Sequence, residues 1–252
     1  MHSVKTGFTS MVLLAVTAQF SQAAMIIDTY TGWDKSESIQ NFGSSNSSFT
    51  PMDETYGQTF TVTDGHTILD SFSFWLNDVD SSLTFKAYIM AWTPTNATGP
   101  ILWSSGNYTT ANSAGFEQFT FGTGGLTLTD NSKYVAFLNT SLHFVNGLAA
   151  RMGMESDITK NYAGGEFVRL DNGAALDVNG DPDSSVLLTQ LTTSTWIIPA
   201  TNYDAAFQAN FSAPPPPTTV PEPGSVLAML SLVSFGAGTV FIRRRRAHKL
   251  AA

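Results

Sequence analysis

The sequence contains no cysteine. Disulfide bonds, thiol catalysis and cysteine-ligated zinc are therefore excluded, although many exported bacterial domains also lack disulfides and the absence identifies no compartment. Histidine is scarce in the central part of the chain, where only His66 and His143 occur. Neither is spaced from another histidine or a carboxylate as in a metal site or catalytic triad. Motifs of serine hydrolases, zinc proteases and phosphate-binding loops are also absent from the sequence.

Charge is low and unevenly distributed. Charged residues make up 13% of the chain, about half the usual share. Residues 25–213 contain 19 acidic and 6 basic residues, a net charge of −13, whereas the whole chain has a net charge of −8. We call residues 25–213 the body. Its acidic character argues against nucleic acid as a partner, because binding of nucleic acid depends on Lys and Arg side chains that neutralise the phosphates.

Sustained helical spacing is absent from the central part of the chain, and apolar residues recur there at every second position. Residues 67–77 and 83–92 alternate in this way over their whole length. A period of two is typical of β-strands with one buried face. The four residues 78–81 between the two segments predict a hairpin in which Phe74 faces Phe85.

The other face of this predicted hairpin carries aromatic side chains. If Asn77 pairs with Ser82, Trp75 and Tyr88 lie in one outward row with small hydroxyl side chains between them. Such a row could stack on sugar rings, since aromatic rings offer flat apolar area at little cost in rotamer entropy. The alternative is that this face packs under a loop or a second sheet.

Short strands with Gly, Asn and Asp turns continue through the body. They are predicted at residues 58–62, 101–108, 116–121, 133–138, 165–170 and 204–212. Eight or more such strands predict an all-β fold, an antiparallel jelly-roll-like β-sandwich over residues 25–212, with a barrel as the alternative.

Both ends of the chain have the pattern of export signals. Residues 1–23 combine a basic start with a short apolar run and small residues before Ala23, which predicts a Sec signal peptide cleaved there. Residues 213–219 form a proline-rich spacer. The seventeen uncharged residues 226–242 would extend roughly 26 Å as a helix, enough for a short single membrane span. The basic tail 243–249, with Arg243, Arg244, Arg245 and Arg246, would stay in the cytoplasm.

The order of parts in this tail resembles a known signal. Pro221, Glu222 and Pro223, followed by a short apolar helix and an arginine cluster, are similar to the PEP-CTERM sorting signal of Gram-negative bacteria, here over residues 220–252. The resemblance implies processing by an exosortase, transient anchoring in the inner membrane, and association with exopolysaccharide or biofilm at the cell surface. The alternative is a plain tail anchor that is retained.

A second resemblance concerns the body. The string 162–167, with Trp196 and the closing 204–207, resembles ectodomains of other PEP-CTERM proteins, for which no activity is established. Gly164 to Phe167 also spell the diguanylate cyclase signature, but in an exported β-protein they are better interpreted as a Gly-Gly start of a strand that turns at 171–173.

One acidic run is similar to the opening of calcium-binding loops. Its oxygen-bearing residues are two apart, at Asp177, Asn179, Asp181 and Asp183. However, Pro182 stands where such loops need glycine, and Leu188 stands where they have a bidentate glutamate. The sequence therefore predicts a solvated acidic turn, with weak calcium binding as the alternative and no other cofactor.

These observations favour a non-enzymatic, structural or glycan-associated surface protein without catalytic residues. The alternative is an extracellular glycan hydrolase or lyase that uses paired carboxylates. Glu117, Glu155 and Glu166 are candidates for such a pair.

Overall fold

The computed structural model describes residues 24–44, 53–78, 82–111, 115–145, 147–155, 162–199 and 203–215. The strands are β1 (Met25–Asp28), β2 (Ser38–Ser44), β3 (Thr55–Thr61), β4 (Ile68–Asp78), β5 (Thr84–Trp92), β6 (Ala97–Ser104), β7 (Tyr108–Thr109), β8 (Glu117–Thr127), β9 (Lys133–Asn139), β10 (Leu148–Glu155), β11 (Phe167–Leu170), β12 (Asp204–Ala205) and β13 (Phe207–Ser212). A 3-10 turn covers Ser141–His143, and one α-helix, α1, covers Ser184–Thr193.

The strands form two antiparallel sheets. In the first sheet, β4 pairs with β8 along one edge, and with β13 and β10 along the other. β1 pairs with β13, while β2 and β12 pair with β10. The second sheet has the order β11-β3-β9-β5-β6, and β7 also pairs with β5. The all-β, antiparallel architecture predicted from the period-two pattern is confirmed.

The two sheets enclose one hydrophobic core. Phe207 from the first sheet and Phe60 from the second are fully buried, with ring centroids 6.0 Å apart. Phe85 of β5 meets Phe119 of β8 edge-on, at 5.1 Å. The predicted inward face of β13 is also fully buried, at Phe207, Ala209 and Phe211. Such aromatic pairs add to the area burial that holds the sheets together.

The predicted hairpin is wrong, because β4 and β5 lie in different sheets. Phe74 and Phe85 both point into the core, as the alternation required, but they approach it from opposite sides. The apolar face of a strand becomes buried whether the next strand pairs with it in the same sheet or lies in the opposite sheet. The connecting residues 79–81 lie outside the described part of the chain.

Helix α1 was not predicted. It begins after Asp183, whose side chain accepts a hydrogen bond from the backbone N–H of Ser185 at 2.6 Å and so acts as the N-cap. Leu187 and Leu191, one turn apart, are fully buried. The N-cap residue and the spacing of the two leucines are the features of the sequence that indicate this helix. The strands β1, β2 and β10 were likewise absent from the sequence prediction.

None of the helical segments in the described residues is long and apolar enough to cross a bilayer. The predicted signal peptide, 1–23, and the predicted span, 226–242, lie outside the described residues.

Candidate functional site

Trp75 lies on the outer face of the first sheet and is buried there. Its ring centroid is 4.2 Å from that of Tyr30 and 6.5 Å from that of Trp33, and only 5% of the residue is exposed. The segment that follows β1 therefore covers this side chain.

Tyr88 lies on the outer face of the second sheet and is 2% exposed. It stacks on Phe137 with centroids 5.2 Å apart, in the cluster that α1 completes with Leu187 and Leu191. Burial raises the pKa of the Tyr88 phenol. The predicted outward row with Trp75 does not form, because the two residues belong to different sheets and each is covered by another layer.

The acidic run is a turn followed by a helix cap. Asp177 Oδ1 accepts hydrogen bonds from the backbone N–H groups of Asn179 at 2.8 Å and Asp181 at 2.9 Å. These backbone bonds lower the pKa of the Asp177 carboxyl. Asp183 caps α1. In the described part of the chain, no group of three or more His, Asp or Glu side chains is arranged to hold a metal ion. Calcium binding by this loop stays a prediction.

The structure brings a different set of polar residues together in a recess of about 230 Å³. We call it the polar recess, and it is lined by Lys133, Tyr162, Ala163, Gly165, Glu166, Tyr203 and Asp204. It is smaller than the ~300–1,000 Å³ of pockets for drug-sized ligands.

Asp204 connects the elements around the polar recess. Its Oδ1 accepts a hydrogen bond from Gln58 Nε2 at 2.6 Å, and its Oδ2 accepts one from the backbone N–H of Tyr162 at 2.7 Å. Gln58 Oε1 in turn accepts from the N–H of Ala205 at 2.9 Å. Burial raises the pKa of the Asp204 carboxyl. This carboxyl therefore ties β3, β12 and the 162–166 loop to one another.

Glu166 is the predicted carboxylate that lines the polar recess. It forms an ion pair with Lys133 at 2.9 Å, and both side chains are about one-third exposed. Glu117 lies instead at the start of β8, where Oε2 accepts from the N–H of Ala111 at 3.2 Å. Glu155 ends β10. Sequence reasoning missed Asp204 as the neighbour of Glu166 because no spacing rule connects residues so far apart in the chain.

Gly165 has no room for a side chain. A Cβ at this position would lie 1.7 Å from the carbonyl oxygen of Thr59, too close for any real contact. Two hydrogen bonds hold the backbone there, both 2.9 Å long. The backbone N–H of Thr59 donates to the carbonyl oxygen of Glu166, and the backbone N–H of Glu166 donates to Thr59 Oγ1. The interpretation of the Gly-Gly pair as the start of a strand is confirmed, since β11 begins at Phe167.

Glu54 is a second buried carboxyl with an unusual environment. It is 2% exposed, and its Oε2 accepts hydrogen bonds from the backbone N–H groups of Asn172 at 3.1 Å and Gly173 at 2.9 Å. Burial outweighs these bonds and raises the pKa of Glu54 to about 7. Next to it, Asp53 forms an ion pair with Arg169. No motif in the sequence predicted the environments of Glu54 and Asp53.

This raised pKa predicts a pH-dependent stability. The Glu54 carboxyl titrates near 4.5 in the unfolded chain and near 7 in the folded protein. Between these values the folded state binds more protons, so the free energy of unfolding is highest below pH 4.5 and falls as the pH rises through 7. We expect the loss to be about 3 kcal/mol, measured by denaturant unfolding at several pH values.

Glu54→Gln should remove most of that slope, because the amide oxygen can still accept both backbone bonds but does not titrate. Glu37→Gln, at an exposed position, is the matched control and should keep the slope of the wild type. Parallel slopes in all three proteins would contradict the assignment.

A larger groove lies beside the acidic turn, with a volume of about 430 Å³. It is lined mainly by apolar side chains, among them Leu142, Val145 and Leu176, together with His143 and Pro182. His143 Nε2 lies 3.0 Å from Asn107 Oδ1. Burial, aided by the charge of Lys86, lowers the pKa of the His143 imidazole. A neutral imidazole in an apolar groove can donate or accept a hydrogen bond without adding charge.

Comparison with known proteins gives two distant or partial likenesses. No curated protein matches the sequence. Among solved structures, the chain is similar to the cysteine protease and lectin-like domains of a surface layer associated protein of Clostridium difficile, with 13% identity and a TM-score of 0.37. The match covers 64% of this chain and 32% of that chain, so this chain spans about a third of that length. A likeness this distant carries no inference about function.

The C-terminal segment gives a direct match. The family model for the PEP-CTERM protein-sorting motif matches residues 219–246. This range contains Pro221, Glu222 and Pro223, the predicted span 226–242 and the four arginines after it, so the resemblance drawn from these residues is confirmed. The chain therefore carries, at its C-terminal end, the PEP-CTERM sorting motif of exosortase substrates.

Proposed function

We propose that this protein is exported, held transiently in the inner membrane by its tail, and sorted by an exosortase to the cell surface or extracellular matrix. There the β-sandwich acts as a non-catalytic structural or glycan-associated module. The PEP-CTERM motif at residues 219–246 carries this proposal.

The physical properties of the tail support the sorting route. A helix over 226–242 would be at the short limit for a bilayer core of about 30 Å. The arginine block after it resists translocation and would hold the body on the outer side. Pro214 to Pro217 favour extended polyproline geometry at about 3.1 Å per residue. Segments of this kind act as semi-rigid spacers.

A non-catalytic role is supported by the polar recess, where the carboxylates are already engaged. Both oxygens of Asp204 accept hydrogen bonds from the protein itself, and Glu166 is paired with Lys133. A retaining or inverting glycosidase needs one carboxyl free to donate a proton and another free to attack or to activate water. In the polar recess both oxygens of Asp204 and one oxygen of Glu166 are instead held by groups of the protein itself.

The charge of the body suggests which matrix polymers it could meet. With a net charge of −13 over residues 25–213, the body is repelled by acidic polysaccharides at low ionic strength. We therefore infer that a neutral exopolysaccharide is the suitable glycan partner. The groove at Leu142, His143 and Leu176 has a volume within the range of ligand sites.

Processing can be tested by intact-mass measurement of protein released from cells that contain an exosortase. We expect cleavage near Pro221 to Pro223 and loss of residues 226–252. The same chain with Pro221, Glu222 and Pro223 all changed to alanine should remain membrane-bound at full mature length. A released product that still carries Arg243 to Arg246 would contradict the proposal.

A further inference from the structure

The strand β8 forms an open edge of the first sheet. It pairs with β4 over most of its length, from Glu117 opposite Leu76 to Thr127 opposite Ile68. Among the residues that the structure describes, no other segment forms backbone hydrogen bonds with β8. One side of an eleven-residue strand thus presents N–H and C=O groups that can pair with another strand.

β8 also lacks most features by which proteins protect such edges, which are proline, charged side chains and short length. Residues 118–127 contain no charged residue and no proline. Other edges of the sandwich differ. β6 contains Pro100, β1 is four residues long and ends in Asp28, and β11 is covered by a bridge from Arg169 to Ile197.

One protective feature divides β8 into two parts. Ser71 pairs with Gly122 and Leu69 pairs with Leu126, so β8 bulges between these pairs. Gly124 and Gly125 have positive φ angles there, of 71° and 83°. The bulge disrupts the ladder of the second part. The first part, from Glu117 to Gly122, is regular.

We propose that this regular part of β8 pairs antiparallel with the same segment of a second copy of the chain, around a two-fold axis at Thr120. An antiparallel strand is complementary to itself, so one patch on each copy is sufficient and the assembly closes as a dimer. The first sheets of the two copies then form one continuous sheet across the axis.

The side chains match under this pairing. Phe119 lies opposite Phe121 of the second copy, and both are buried residues of the core face. On the outer face Gln118 lies opposite Gly122, and Thr120 lies opposite itself. These outer residues are exposed in the single chain. We call the junction between the two β8 strands the seam. Apolar residues meet on one face of the seam, and small or uncharged polar residues meet on the other face, which favours cross-strand pairing.

Charge favours this seam over other surfaces of the body. Two copies with a net charge of −13 each repel one another at most orientations. At the β8 seam the sole charged residue is Glu117, and the pairing puts it opposite Thr123 rather than opposite its own copy. The seam is therefore a place where two acidic bodies can approach without directly opposed like charges.

The seam is short, so the dimer should be weak in dilute solution. Stable interfaces bury about 1,200–2,000 Å², more than six strand residues per copy provide. Confinement at a cell surface raises the effective concentration and compensates for the short seam. The added stability from confinement rests on the proposed surface location, whereas the pairing itself can be tested in solution without an exosortase.

The absence of native cysteine allows a direct crosslinking test in the full chain. Directly opposed residues of antiparallel strands have Cα atoms about 4.5–5.5 Å apart, within the range that a disulfide spans. Oxidation of the Thr120→Cys chain should give a covalent dimer that a reductant reverses, seen by non-reducing electrophoresis. We expect at least about tenfold more dimer than for Thr127→Cys.

Thr127→Cys is the matched control, since Thr127 is exposed on the same strand. Under the proposed pairing its two copies are more than about 30 Å apart. Equal dimer yields at positions 120 and 127, or no dimer from a Thr120→Cys chain that melts like the wild type, would overturn the proposal.

A mixed experiment fixes the register and covers the case in which Thr120→Cys does not fold. Chains with Gln118→Cys are mixed with chains with Gly122→Cys, a position where a Cβ meets nothing within 4 Å. Crosslinks should form mainly between the two kinds of chain. Crosslinking that is no greater in the mixture than in each chain alone would also reject the proposed pairing.

Discussion

Gly165→Ala should lower the free energy of unfolding by about 3 kcal/mol, at the upper end of the cost of overpacking. The methyl group would lie 1.7 Å from the carbonyl oxygen of Thr59, so the 162–166 loop must move away from β3. That movement breaks the hydrogen bonds between Thr59 and Glu166. It also shifts Tyr162, whose N–H is bonded to Asp204. Denaturant unfolding measures the change.

Gly122→Ala is the matched control for this substitution. Gly122 lies in a strand, has no positive φ and has no atom within 4 Å of an added Cβ. We expect its unfolding free energy to stay within about 0.5 kcal/mol of the wild type. If both variants were equally stable, Gly165 would not be required by the contact with β3.

Tyr88→Ala should destabilise the protein by about 3–5 kcal/mol, the usual cost of truncating a buried aromatic residue. The ring is 2% exposed and stacks on Phe137 beneath the layer that contains α1. Thermal and denaturant unfolding would both report this loss. A variant that kept its stability and lost polysaccharide binding would contradict the burial of Tyr88.

Tyr88→Phe separates the ring from its hydroxyl. The hydroxyl oxygen is buried and has no hydrogen-bond partner among the described residues. Removing a buried hydroxyl without a partner relieves its desolvation cost, so we expect this variant to be as stable as the wild type or up to about 1 kcal/mol more stable. Substantial destabilisation by Tyr88→Phe would indicate a polar partner for the hydroxyl.

The sequence predicted those features of the fold that depend on a local pattern of residues. Alternation in 67–77 and 83–92 located β4 and β5 and identified their inward faces. It could not tell whether the two strands lie side by side or face each other, because Phe74 and Phe85 become buried in either arrangement. That ambiguity produced the predicted outward row of Trp75 and Tyr88, whereas the structure bears out the alternative, in which other parts of the chain cover both side chains.

Long-range polar contacts could not be predicted from the sequence, for a different reason. Asp204 is positioned by Gln58 and Tyr162, and these three residues come from distant parts of the chain with no shared motif. The pKa of Glu54 depends on backbone groups at Asn172 and Gly173 in the same way. The sorting motif, in contrast, is contiguous, and its residues identified it directly.

The pairing of β1 with β13 joins the first strand of the body to the last, with Met25 opposite Phe211. If export proceeds from the N-terminal end, β1 emerges early and has no partner until nearly the whole body has followed. Closure of such a long loop is slow compared with local pairing. The first sheet can therefore be completed only when the chain is threaded as far as its proline-rich spacer. During export this order would leave one side of β4 largely unpaired until the end of the body has emerged.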